Sequence, residues 1–401
     1  MHCHGRHRIP NVNSPVPKHG DVFSDIAYLN WITGRPAKAE FDLGSSDLRR
    51  APPENSAVIP QALTATRTPE TTVEVQLAAI YGVEPENVLV TAGATHANLL
   101  AAATALSQAE DRATTADDSA TADDESEATE TNRVLVEKPG YEPLLATPEG
   151  MGATIDRFRR PDEEEYSLDP ERVSGATVEN SALVTVTNRH NPSGRRTSRE
   201  TFATVARYVG EESAKLLVDE VYAPFDTESG DGPFGGPSAV GLPNTVVTSS
   251  LTKFLGFGDL RIGWLIADAE FVARARSIDH HFVPVAEPSR RLARRALADA
   301  DRLADESRER IRANHEALAT FVASREDLSG RVEPGCPYAF LRHESADGDD
   351  VVDAAWENGV LVVPGRFFDD SDSFRISACQ DLATVRTGLD RFADVLDSLT
   401  A

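Results

Sequence analysis

The chain has 401 residues, 40% of them hydrophobic, and its 65 acidic against 40 basic residues give a formal net charge of −25. That length exceeds one small core and points to two domains, or to one large α/β domain with a smaller one attached. The acidic balance argues against nucleic acid and anionic membrane as partners. No run of 18 apolar residues offers a membrane span, and no apolar stretch follows the first basic residues as in a secretory signal.

Only five lysines occur (Lys18, Lys38, Lys138, Lys215 and Lys253), so nearly all the positive charge is arginine. An acidic, lysine-poor surface stays hydrated in concentrated salt, where screening relieves self-repulsion. This composition resembles that of proteins from halophiles. Cys3, Cys336 and Cys379 form no disulfide or metal spacing, which fits a reducing, cytoplasmic setting.

In chain order, residues 1–20 read as a disordered start. Its His2-Cys3-His4 and His7 carry metal-ligating atoms, but no metal site is expected there. Strands are expected at Val88–Thr91, Arg133–Glu137, Ala182–Thr187, Lys215–Asp219, Thr245–Ser249 and Arg261–Ala267, each short, β-branched and bounded by turn residues. Helical patterns lie between them at Thr95–Ser107 and Arg199–Val209. From Gln108 to Asn132 runs a stretch with nine acidic residues and one basic, Arg112, which reads as a solvated loop. The rhythm implies an α/β fold whose large domain is a mostly parallel, helix-covered sheet. After Pro288 come a long helix Ser289–Ser324, strand Tyr338–Arg342, helix Asp349–Glu357, strands Val360–Val363 and Ser373–Ser377, and a closing helix Asp381–Leu399. They make a smaller α+β domain. The expected division is an N-terminal arm 1–45 that joins the small domain, a large domain 46–280, and a small domain 281–401.

Ligands of such sheets bind beyond the carboxyl ends of the strands. There stand Gly93-Ala94-Thr95 at a helix start, suited to an anion, Asn188 to Gly194 as a polar turn, Asp219 leaving an apolar strand, and Ser250-Leu251-Thr252-Lys253 with Arg261 eight residues on. Singly, these are a helix cap, a β-turn, a strand-end carboxylate and a surface lysine. Gly256-Phe257-Gly258 begins like a dinucleotide fingerprint but lacks its third glycine and its strand-to-helix setting, and no phosphate loop of the ATPase kind is present.

In this order the set resembles the class I/II aminotransferases, enzymes of the fold-type-I pyridoxal-5′-phosphate group. The matching segments are Val90-Thr91-Ala92-Gly93-Ala94-Thr95, Val134 to Pro143, His190-Asn191-Pro192-Ser193-Gly194, Asp219 with Tyr222, Ser250 to Lys253 with Arg261-Ile262-Gly263-Trp264, and Phe374-Arg375-Ile376-Ser377. The resemblance spans about Phe41 to Ser377. It implies that Lys253 carries the cofactor as a Schiff base and then acts as general base and acid. It implies that Gly93, Ala94, Thr95, Ser250 and Arg261 hold the phosphate, that Tyr141 stacks on the ring, that Asn191 and Tyr222 meet the phenolic oxygen, and that Asp219 meets the ring nitrogen. Lys253, Asp219 and Tyr141 are then the catalytic residues, and Ser46, Asn191 and Arg375 the substrate-binding ones. Burial and Arg261 are expected to lower the pKa of Lys253.

The implied activity is ping-pong transfer of an amino group between an amino acid and a 2-oxo acid, in a homodimer. Another pyridoxal-phosphate reaction, β-elimination or decarboxylation, is the alternative. A non-enzymatic cofactor-binding regulator is a weaker one, since the N-terminal arm leaves no room for a helix-turn-helix. Two departures stand out. The segment Leu63 to Pro69 lacks the family's cross-subunit tyrosine, and Ser46 stands where the family has the second glycine of a pair. Arg49, Arg290 and Arg291 are the candidates for reading a second substrate carboxylate, with a surface role the plainer reading of each.

Overall fold

The structure, a computed structural model, describes residues 23–48, 50, 59–117, 132–178 and 180–400. The N-terminal His/Cys run, Arg49 and residues 118–131 of the acidic stretch lie outside the described residues. In chain order the strands are β1 (Phe41–Asp42), β2 (Val88–Thr91), β3 (Arg133–Lys138), β4 (Thr154–Arg159), β5 (Ser181–Thr187), β6 (Lys215–Asp219), β7 (Thr245–Ser250), β8 (Gly263–Ile266), β9 (Leu328–Arg331), β10 (Tyr338–His343), β11 (Val360–Leu361), β12 (Val363–Pro364) and β13 (Ser373–Ser377).

The larger sheet has the order β2-β8-β7-β6-β5-β3-β4. Its pairings are parallel except where β8 lies antiparallel to both β2 and β7. Every residue of β5 and β7 is buried, as expected of strands covered on both faces. On one face Leu89, Leu183 and Leu217 pack with Ala97, Leu100, Ala101 and Phe271 of helices Ala94–Asp117 and Ala269–Asp279. On the other, Val184, Val186 and Val218 pack with Phe202, Val205 and Val209 of helix Arg199–Glu211. Ser198 starts that helix by accepting a bond from Thr201 N, and Asp268 starts Ala269–Asp279 by accepting one from Phe271 N.

A second sheet, β12-β13-β10-β9, is antiparallel, and β1 pairs in parallel with β11 beside it. Leu43, after β1, shares its core with Leu341, Phe374, Ile376 and Phe392. The Glu287–Ala298 helix and the first half of Ala300–Ala323 put Leu292, Ala296 and Ile311 into a core with β2 and β8, whereas Leu318 belongs to the second core.

The architecture is the expected α/β fold with a mostly parallel, helix-covered sheet, and several boundaries move. The helix after β2 continues through Gln108 to Asp117, because Ala109 is buried and Asp111 pairs with Arg274 at 2.6 Å. The expected Ser289–Ser324 helix is two, broken at Asp299, whose φ of −121° is not helical. The expected Val360–Val363 strand splits so that one half pairs with β1 and the other with β13. Arg261 precedes β8 rather than opening it, in a left-handed conformation with φ 48°.

Candidate active site

The side chains expected at the strand ends converge. Asp219 closes β6 and is buried. Its Oδ2 accepts a bond from Asn98 Nδ2 at 2.8 Å and its Oδ1 one from Val221 N at 3.1 Å. Burial pushes this carboxyl above the ordinary carboxylate range, while Asn98, Val221 N–H and the charge of Lys253 act the other way.

Lys253 follows β7, with Nζ 5.7 Å from the centre of the Tyr222 ring. Burial works to lower its pKa, but Tyr222, Asp47 and Tyr28 outweigh burial and push it up to about 12. The expected depression therefore fails: the site holds too much partial negative charge, and the cation opposing protonation is Arg375, not Arg261. The Tyr222 hydroxyl shares a 2.6 Å hydrogen bond with Ser46 Oγ, which brings the N-terminal segment to the lysine. Leu48 N also donates to Lys253 O at 3.0 Å.

Gly93, Ala94 and Thr95 stand where β2 turns into its helix, with φ 93° at Gly93, a value that favours glycine. Arg261 lies against this turn and donates from Nη2 to Ala92 O at 3.3 Å. A Cβ on Gly93 would sit 2.6 Å from that Nη2, and one on Gly263 would run into the backbone of Gly93 and Ala94. Ser250 Oγ accepts from Thr252 N at 3.2 Å at the end of β7.

From the second sheet, β13 delivers Arg375. It is fully buried, donates from Nη1 to Asn191 Oδ1 at 2.6 Å and from Nη2 to Gly44 O at 3.2 Å, and lies over the rings of Phe368 and Tyr338. Burial disfavours its charge, but Tyr222, Tyr28, Tyr338 and Tyr141 raise its pKa on balance. Asn191 is held from behind. Its N–H donates to Thr187 Oγ1 at 2.9 Å, and Thr187 donates in turn from Oγ1 to Glu137 Oε1 at 2.6 Å. Glu137 also binds Arg160 at 2.6 Å in an ion pair that solvent does not reach. Burial drives both of these partners toward neutrality, and each restrains the other.

His190 has its Nε2 3.0 Å from Pro139 O, a pure acceptor, so Nε2 carries the proton and Nδ1 accepts from Ser193 Oγ at 2.7 Å. Burial and Arg160 keep this ring neutral. Tyr141 packs edge-on to Tyr28 at 5.5 Å, and the Glu142 carboxylate ties down the helix Ala27–Ile32 through Tyr28 N at 2.7 Å and Ala27 N at 3.1 Å.

A lysine, a buried carboxylate, an asparagine, a small-residue turn backed by an arginine, and a buried second arginine thus meet at one sheet edge. The family model "Aminotransferase class I and II" matches residues 42–392. The chain belongs to that family. Its curated relatives include capreomycidine synthase from Streptomyces vinaceus, 26% identical over 61% of this chain and 63% of that protein. They also include an aspartate/prephenate aminotransferase from Thermus thermophilus, 25% identical over 64% of this chain and 70% of that protein. The match to capreomycidine synthase thus spans less than two thirds of its length. In fold, the chain is similar to a PLP-dependent aminotransferase from Streptococcus suis, with a TM-score of 0.78, 20% identity, and coverage of 94% of this chain and 98% of that one.

Class I and II aminotransferases use pyridoxal phosphate, and the residues present fit it. Asp219 is a buried carboxylate that burial alone would neutralise and that a protonated ring nitrogen would match in charge. The turn at Gly93 is a cradle that a Cβ would fill, with a guanidinium on its flank.

Asn98, Thr248 and Tyr28 escaped the sequence reading. Asn98 was detectable only as a lone polar residue in the run Ala97-Asn98-Leu99-Leu100-Ala101, where burial would demand a partner. Of the arginines considered for a second carboxylate, Arg290 is paired with Glu74 and Arg291 with Glu287.

Proposed function

We propose that this chain is a pyridoxal-phosphate-dependent aminotransferase that moves an amino group between an amino acid and a 2-oxo acid by a ping-pong mechanism. The observation that carries the reading is the 2.6 Å bond from Arg375 to Asn191, which joins a carboxylate-binding cation to the cofactor turn across 184 residues. In this reading Lys253 is the attachment point. Gly93, Ala94, Thr95, Ser250 and Arg261 hold the phosphate, Tyr141 stacks on the ring, Asn191 and Tyr222 meet its phenolic oxygen, and Asp219 its nitrogen. Ser46, Asn191 and Arg375 receive the substrate.

When bound, pyridoxal phosphate supplies an electron sink for the charge left as a substrate Cα–H bond breaks. Arg375 fixes the α-carboxylate through paired N–H donors, which a guanidinium does and an ammonium does poorly. Lys253 Nζ takes the Cα proton and returns it, as general base and then acid. It must be neutral to do so. Burial and Arg375 favour that state, and Tyr222, Asp47 and Tyr28 favour the charged one.

Borohydride reduction of the cofactor-loaded protein should tag Lys253 alone, read by peptide mass. Lys253→Ala should bind cofactor without the covalent link and lose turnover by orders of magnitude. A tag on another lysine, or transamination at wild-type rate by the variant, overturns the proposal.

A second reading is a different pyridoxal-phosphate reaction such as β-elimination or decarboxylation; one relative is named a synthase and not an aminotransferase. Release of pyruvate and ammonia rather than amino-group transfer would favour it. We further propose a homodimer acting in the cytoplasm at high salt, the last supported by the net charge of −25 and the scarcity of lysine. No helix among the described residues is long and apolar enough to cross a membrane. The division into an arm to residue 45, a large domain to 280 and a small domain to 401 is also proposed. Leu43 in the second core supports the role of the arm, whereas Leu292, Ala296 and Ile311, packed with β2 and β8, tie residues 287–311 to the large domain's core.

A further inference from the structure

Asp219 does not stand alone in the fold. Thr248 lies directly across from it on β7, in register. Asn98 comes from the helix that begins at the small-residue turn, and reaches both residues. Thr248 Oγ1 is 2.5 Å from Asn98 Oδ1, and Asn98 Nδ2 is 2.8 Å from Asp219 Oδ2. The chemistry of the three groups fixes the direction of the chain. An ionised carboxylate only accepts, so the amide must turn its NH₂ toward Asp219. The amide oxygen then needs a donor, and the hydroxyl of Thr248, itself fully buried, is the one within reach.

We propose that Thr248 and Asn98 form a positioning relay that holds Asp219 ionised and aimed at the cofactor's ring nitrogen, with Thr248 locking the orientation of the amide. The inference rests on the cofactor reading above. Without the hydroxyl, the amide of Asn98 loses the donor that holds its oxygen away from Asp219. If it turned, two acceptors would face each other inside the protein, where an unmatched polar contact is costly. The other ionisable groups facing Asp219 are Lys253, whose charge favours the carboxylate, and Glu220 and Tyr141, which couple to it unfavourably when charged. The relay is thus the neutral part of a balance that Lys253 cannot hold once it is engaged elsewhere.

The test compares wild type with Thr248→Val, which keeps the shape and removes the donor, Asn98→Ala, and Thr248→Ser, which restores the donor. In the cofactor-free protein, the protonation of Asp219 is followed by difference infrared spectroscopy against an Asp219→Asn blank. In the loaded protein, cofactor affinity and the KM and kcat of the half-reaction are measured. Thr248→Val and Asn98→Ala should move the Asp219 midpoint upward, weaken cofactor binding about tenfold to hundredfold, and lower kcat more than they raise KM. Thr248→Ser should return all three toward wild type. An unchanged Asp219 midpoint and unchanged cofactor affinity in Thr248→Val overturn the relay, as does loss of kcat that Thr248→Ser fails to recover. If the cofactor reading itself is wrong, wild type shows it first, by giving no borohydride tag at Lys253.

Discussion

Replacing Arg375 by lysine keeps the charge and removes the geometry. The guanidinium carries five N–H donors. One goes to Asn191 and one to Gly44 O, and the buried Nε has no hydrogen-bond partner in the free protein. Three donors therefore remain for a carboxylate, enough for a two-point grip. A lysine ammonium has three in all, and if Asn191 and Gly44 keep theirs, one is left. The substrate then loses one charge-assisted hydrogen bond, worth about 1.5–3 kcal/mol, or about tenfold to hundredfold in kcat/KM. Both half-reactions should suffer, because the amino acid and the 2-oxo acid share the carboxylate, and most of the loss should fall on KM. The assay measures kcat/KM for an amino acid, for its 2-oxo acid, and for the matching amine that lacks the carboxylate. In Arg375→Lys the first two should fall and the third should stay near its wild-type value. An equal loss on all three would mean that Arg375 supports the fold around Asn191 and Gly44 rather than gripping the substrate.

Glu137→Gln leaves Arg160 charged and buried without its counter-ion, so stability should drop by about 3–5 kcal/mol, seen as a lower melting temperature; Arg160→Met added to it should recover part of the loss, and an unchanged melting point would show that the pair is dispensable. Burial tends to raise the Asp226 carboxyl, but Arg196 and Arg189 hold it below its ordinary range. Its contribution is therefore full above the unfolded carboxylate pKa of about 4 and is lost as pH falls through that region. Denaturant titrations at neutral and acid pH should show a shallower pH dependence in Asp226→Asn, and an identical slope would contradict this. With a net charge of −25, the melting temperature should climb as salt screens the self-repulsion; a flat or falling curve would remove the case for a high-salt protein.

What the sequence made legible follows the physics of each segment. β5, β6 and β7 are short runs centred on Val and Leu, rich in β-branched residues and ending in polar ones, so both the strands and the chemistry at their tips could be read directly. β4 was invisible because Thr154–Arg159 reads Thr-Ile-Asp-Arg-Phe-Arg and has only Phe158 buried, the pattern of a charged edge strand. The helix break at Asp299 leaves no mark in composition, since alanine and arginine continue on both sides. In the site, Lys253, Asp219, Asn191 and Arg375 stood out because each sits in a motif several residues long. Asn98, Thr248 and Tyr28 act singly, and only the packing of a helix and a neighbouring strand brings them to Asp219 and Tyr141. The pKa of Lys253 depends on such gatherings too: Tyr222, the largest of the groups that raise it, stands in a legible motif, but Asp47 and Tyr28 lie some two hundred residues upstream and reach the lysine only through the fold.

Because β8 folds back beside β7 with Ser250 opposite Gly263, the lysine and Arg261 ride on one hairpin, in the connection between two hydrogen-bonded edges. The span from amine to guanidinium is therefore a local ruler, set by the number of residues in that turn and indifferent to how the two cores settle against each other. Lengthening the turn by a single residue would leave the hairpin free to form while moving the anchor out of step with the guanidinium at the Gly93 turn, so the site would be lost without the fold.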